Sequence, residues 1–69
     1  MDILYIEFFD CEAKKIIKKT PYTVGMAIPR KGEYIRMEST WIKGLYRVEN
    51  VIYYEVQKKV ELKIIKVDK

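Results

Sequence analysis

Residues 45–67, LYRVENVIYYEVQKKVELKIIKV, decide the fold. In their second half Val60, Leu62 and Ile64 alternate with Glu61 and Lys63 before Ile65 and Val67 switch side. That period of two is the mark of a strand with one buried face. In the first half Tyr46 and Val48 share a parity with Ile52, Tyr54 and Val56, whereas Leu45, Val51 and Tyr53 take the other. One flat strand cannot bury both sets, so a bend or bulge is expected near Glu49-Asn50. Gln57-Lys58 turns the chain between the two halves, which predicts a long terminal hairpin.

Upstream, EYIRME (33–38) sets Ile35 and Met37 against Tyr34 and Arg36, a short strand introduced by the turn residues Arg30-Lys31-Gly32. The preceding PYTVGMAIPRKG (21–32) lies between two prolines that deny ladder hydrogen bonds, so an extended loop or irregular edge is expected. At the start, DILYIEFF (2–9) places Leu4, Ile6 and Phe8 on one face and Ile3, Tyr5, Glu7 and Phe9 on the other. Because the second face is also largely apolar, this strand should be partly covered on both sides. Asp10-Cys11-Glu12 reads as a turn. The segment KKIIKKT (14–20) is expected to return as a hairpin strand. A short helix near residues 11–19 is the alternative, since Ala13, Ile16 and Ile17 fall at i, i+3, i+4 and Asp10 could cap it. Met26 and Met37 are expected to fill gaps in the core, and Tyr34 and Tyr46 to enlarge it.

The expectation is therefore all-β: a small barrel or strongly coiled antiparallel sheet of about five strands in a single domain, residues 1–69. Ten isoleucines and six tyrosines against five glycines and prolines suit such strands. A chain of 69 residues buries only about 60% of its unfolded surface, so its core is thin and a homo-oligomer is conceivable. One cysteine, Cys11, excludes an intrachain disulfide and favours a reducing compartment, with the cytoplasm expected. Between its carboxylate neighbours Asp10 and Glu12, Cys11 reads as an incidental turn residue. No signal peptide pattern is visible, and no apolar run approaches the ~20 residues of a membrane span.

Histidine is absent, and there is one serine, Ser39. Ser-His and Cys-His nucleophile pairs and histidine-based metal sites are thereby removed. A core of this size seldom encloses a ligand cavity. The expectation is no enzyme, no catalytic residues, no metal and no cofactor.

Pro29-Arg30-Lys31-Gly32-Glu33-Tyr34-Ile35, followed by Tyr46-Arg47-Val48-Glu49-Asn50-Val51, resembles the recurrent pattern of SH3-like small β-barrels. In particular, residues 29–67 resemble short phage and prophage proteins of low-GC Gram-positive bacteria. The resemblance implies an SH3-like barrel in which the glycine turns the chain and the aliphatics fill the interior. Such barrels bind proteins, peptides or nucleic acids, and the fold does not choose among them.

Charge is unevenly distributed. Residues 1–12 carry four acids and no base, residues 13–36 have a net charge of +6, and the total is +4. Lys14, Lys15, Lys18, Lys19, Arg30, Lys31 and Arg36 are the candidates for a phosphate-binding stripe, with Tyr22, Tyr34 or Trp41 to stack on bases. Against this, lysines keep an edge strand soluble, and the adjacent pairs point to opposite faces of a strand. Aromatics supply the second set of candidates. Tyr53 and Tyr54 are neighbours, so one must face away from the core, and Trp41 and Tyr22 lie in loops; rings of this kind anchor protein interfaces. The expected function is a non-enzymatic binding module, a phage or prophage accessory protein that contacts another protein, such as a host protein, through Tyr22, Trp41, Tyr53 and Tyr54. Nucleic-acid binding through the basic 14–36 region is the alternative.

Overall fold

The computed structural model describes residues 3–67 as five strands in one sheet, with no helix among them. They are β1 (Tyr5–Asp10), β2 (Lys15–Pro21), β3 (Tyr34–Glu38), β4 (Lys43–Tyr54) and β5 (Lys59–Lys66). Their order in space is β2-β1-β5-β4-β3, and the sheet curls strongly into a half-barrel compatible with a small SH3-like barrel. The all-β expectation is borne out.

The last hairpin follows its sequence closely. Val60, Leu62 and Ile64 have no solvent exposure, Tyr46 and Val48 pack against them, and together with Ile6, Phe8 and Met37 they form the core. Burying each large aliphatic side chain contributes about 1.5–3 kcal/mol. The register of β4 on β5 slips between Val48 and Asn50, leaving Glu49 as the extra residue. Past this bulge Val51 and Tyr53 pair with Leu62 and Val60, so the core parity changes where the sequence required it. Residues 55–58 make the turn, with Lys58 at φ 57°.

Four points of the expectation meet the structure: in the first the hairpin strand holds and its helical alternative falls, and in the other three the structure departs from expectation. Residues 11–14 form a turn and 15–21 a strand, so the helix alternative near 11–19 is not realised. Asp10 Oδ1 does accept from the amides of Glu12 and Ala13, but Lys14 takes φ 58°, a left-handed value that stops helical propagation and starts a hairpin. Second, the sheet is mixed rather than wholly antiparallel, because β1 runs parallel to β5, with Ile6 opposite Val60 and Phe8 opposite Leu62. This pairing puts β1 inside the sheet, where Ile6 and Phe8 face the core and the side chains of Lys19, Lys59 and Lys63 from the flanking strands reach over Tyr5, Glu7 and Phe9 on the other face. Third, Leu4 precedes β1 and is exposed. Fourth, Met26 and Tyr34 are exposed, whereas Met37 and Tyr46 are buried. Met26 sits in the loop 22–33, and Tyr34 pairs with Arg47 across the β3–β4 ladder, on the side away from the core.

That loop is tied down at its end. Gly32 N–H donates to Val48 O and Val48 N–H to Glu33 O, joining the loop to β4 beside the bulge. Gly32 adopts φ 92°, where any side chain would be strained.

Candidate interaction groove

Two hairpin turns come together at one end of the half-barrel. The β1–β2 turn is shaped by Asp10, whose carboxylate holds two amides while its carbonyl accepts from Lys14 N–H at 2.7 Å. The β3–β4 turn is clamped by Ser39. Its N–H donates to Ile42 O at 3.0 Å, its Oγ donates to the same carbonyl at 3.1 Å, and that Oγ accepts from Ile42 N–H at 3.0 Å. Trp41 rides on this clamped turn with 91% of its surface exposed. A rigid turn beneath an exposed indole reduces the entropy lost when something settles on it.

Between the turns lies an open groove of about 480 Å³. Ile16 and Ile17 of β2 form one wall, Trp41 and Ile42 the other, and Tyr46 reaches it from β4. Lys15, Lys43 and Lys66 line it as well, with Asp10 the one acid among the lining residues. It exists because the sheet curls: β2 lies at one edge of the sheet and the β3–β4 hairpin at the other, and only curvature lets both line one hollow. A more open hollow of about 510 Å³ beside β3 is lined by Arg36, Met37, Glu38, Lys43 and Gly44.

No protein family, curated protein or solved structure matches this chain.

The predicted aromatic candidates are not brought together. Trp41 precedes β4 and Tyr53 and Tyr54 end it. Tyr53 is half exposed on the Val60 side. Tyr54 faces away from the core, and its hydroxyl donates to Glu61 Oε1 at 2.8 Å. Tyr22 packs part-buried against the core, its N–H donating to Leu4 O. The basic candidates are likewise dispersed. Lys15 lines the groove and Lys14 lies in the adjacent turn. Lys18 lies 6.0 Å from the Phe8 ring and Lys19 lies 4.2 Å from the Tyr5 ring, so this pair divides between the two faces. Arg30 and Lys31 belong to the turn before β3, and Arg36 lies on β3.

The face opposite the core carries a cluster that sequence reading missed. Glu7 and Glu61 are neighbours on the parallel strands β1 and β5, and both are buried. Lys59 Nζ donates to Glu7 Oε1 at 3.0 Å, and Lys63 Nζ lies 3.7 Å from Glu61 Oε2. The hydrogen bond to Glu7 raises the Lys59 pKa above the ordinary lysine value, partly opposed by burial. The hydrogen bond to Glu61, reinforced by burial, raises the Tyr54 pKa in the same direction. Lys59 also covers the Tyr54 ring at 4.8 Å and Lys63 the Phe9 ring at 4.2 Å. Parallel pairing generates this cluster, and nothing in the local sequence announces it.

Ile16, Ile17, Ile42, Lys43 and Lys66 were also missed as groove residues. Ser39 three residues before Ile42 was a usable signal for a side-chain-clamped turn; Lys66 had none. Among the described residues no group of three or more acidic or cysteine side chains converges as a metal site would need. No helix among them is long and apolar enough to cross a membrane.

Proposed function

We propose that this chain is a non-enzymatic, cytoplasmic binding module that grips another protein at the groove beneath Trp41. The observation that carries the reading is the exposed indole held on the Ser39-clamped turn beside a hollow lined by Ile16, Ile17 and Ile42. Large aromatics flanked by aliphatic walls are the residues on which interface energy concentrates. Trp41 is favoured over Tyr54, whose hydroxyl is engaged by Glu61, and over Tyr22, which packs against the core. Nucleic acid is the weaker reading because Lys18 and Lys19 divide between faces and Arg30, Lys31 and Arg36 lie outside the groove. On the resemblance of residues 29–67 to short phage and prophage proteins, the partner is a host protein.

The test is capture from a host lysate treated with nuclease, comparing the natural chain with Trp41→Ala and Tyr54→Ala after circular dichroism has established that each is folded. Loss of a specific protein with Trp41→Ala alone supports the groove. Equal capture by Trp41→Ala removes it. Material lost on nuclease treatment points instead to nucleic acid.

A further inference from the structure

The groove beneath Trp41 also specifies what kind of segment fills it, given that it is the binding surface proposed above. Its walls are aliphatic and aromatic, and its charge is one-sided: Lys15, Lys43 and Lys66 line it with Asp10. Asp10, whose Oδ1 accepts from the amides of Glu12 and Ala13, offsets one of these charges, and three lysines against one carboxylate leave the lining at a net +2. Lysines set among isoleucine and aromatic side chains are complementary to a large apolar side chain flanked by carboxylates.

We infer that the groove binds an acidic segment of another protein, one bulky apolar side chain seated against Trp41 and Ile16 with carboxylates on either side meeting Lys15, Lys43 and Lys66. A second copy of this chain is the wrong occupant. A two-fold contact through this face would bring the same three lysines of each copy toward one another, and like charges at an interface are repulsive. Ladder pairing along the neighbouring edge is also disfavoured. Strand β2 is bulged at Ile17, which has no partner between the Phe8–Lys18 and Phe9–Ile16 pairs, and it is lined with lysines. Bulges and lysines blunt an edge against strand addition, which leaves recognition to side chains in the groove. Single-stranded nucleic acid could offer phosphates to the lysines, but the groove offers one exposed ring for stacking where such binders align several.

Trp41 is the chain's single tryptophan, so its fluorescence reports the groove directly. The probes are a nonapeptide with a central leucine flanked by aspartates and glutamates, the same peptide with lysines for the acids, and a thymidine oligonucleotide of equal length. The acidic peptide should give a saturable change in Trp41 emission. The basic peptide should bind at least about tenfold more weakly, as each carboxylate contact with a lysine is replaced by a like-charge contact. The double variant Lys15→Glu, Lys43→Glu should lose the acidic peptide by a similar factor while keeping its circular dichroism. Equal affinity for the two peptides, no saturable change with the acidic one, or tighter binding of the oligonucleotide would each overturn the acidic-segment assignment. If the assignment fails while Trp41→Ala still loses its partner in lysate, the groove stands and only the chemistry of its occupant is wrong. If Trp41→Ala keeps the partner, the binding surface itself is misplaced.

Discussion

Lysines and aromatic rings occur at both ends of this small sheet's behaviour, and their arrangement separates the two. On the face opposite the core, Lys19, Lys59 and Lys63 lie over Tyr5, Tyr54 and Phe9, and Lys59 and Lys63 also meet the carboxylates of Glu7 and Glu61. At the groove, the Trp41 ring stands almost wholly in solvent above a hollow lined by isoleucines and lysines. The first arrangement spends its chemistry internally and holds the sheet together. The second leaves its chemistry facing outward. An inventory of residue types does not distinguish them; who pairs with whom does.

The harshest way to break the comparison is to remove what both regions stand on. Leu62→Ala empties a fully buried site at the centre of β5, and we expect a loss of about 2–5 kcal/mol in urea denaturation, with groove and opposite face failing together. Next comes Trp41→Ala. It should leave stability within about 0.5 kcal/mol, as for other exposed sites, yet weaken partner binding by about 2 kcal/mol, as at a binding hot spot. A melting curve and a titration on the same sample separate the two effects. Ser39→Ala removes the clamp under Trp41 without touching the ring. Losing this turn hydrogen bonding should cost about 0.5–1.5 kcal/mol of affinity, about twofold to tenfold, and a change as large as that of Trp41→Ala would mean that Ser39 does more than hold the turn.

The smallest effect sharpens the opposite face through pH. Lys59 and Tyr54 both hold their protons more tightly in the folded chain than their ordinary values dictate. The folded state therefore binds more protons in alkaline solution. Their stabilisation is complete below about pH 10 and fades as pH climbs through the raised values. The urea midpoint should hold steady up to about pH 10 and fall as pH rises beyond it, and Tyr54→Phe should make that fall shallower. An unchanged slope in the variant would mean that the Tyr54–Glu61 bond contributes nothing. Binding at the groove should not follow this titration.

Reading the sequence succeeded where cause was local. Val60, Leu62 and Ile64 alternate and are buried together, and the parity conflict around Glu49 became the bulge. Adjacent Lys18 and Lys19 point to opposite faces, as neighbours on a strand must. It failed where cause was distant. Tyr34 is a local exception: its alternation with Ile35 and Met37 already placed it on the other face, and it is exposed there, although its ring suited a core. The groove draws Ile16, Trp41 and Lys66 from three remote parts of the chain, and the Glu7–Glu61 neighbourhood exists only because β1 settles beside β5 in parallel. Exposure of Trp41 was legible from its loop setting; the hollow beside it was not.

That parallel pair has a consequence in time. The β4–β5 hairpin needs only a short turn to form, whereas β1 must find β5 across nearly the whole intervening chain. Closing so long a loop is entropically slow, and contacts between distant residues set the pace of folding in small domains. During synthesis the first strand therefore waits, with Ile6 and Phe8 uncovered, until the last strand emerges, and the central seam of the sheet is the last to be sewn.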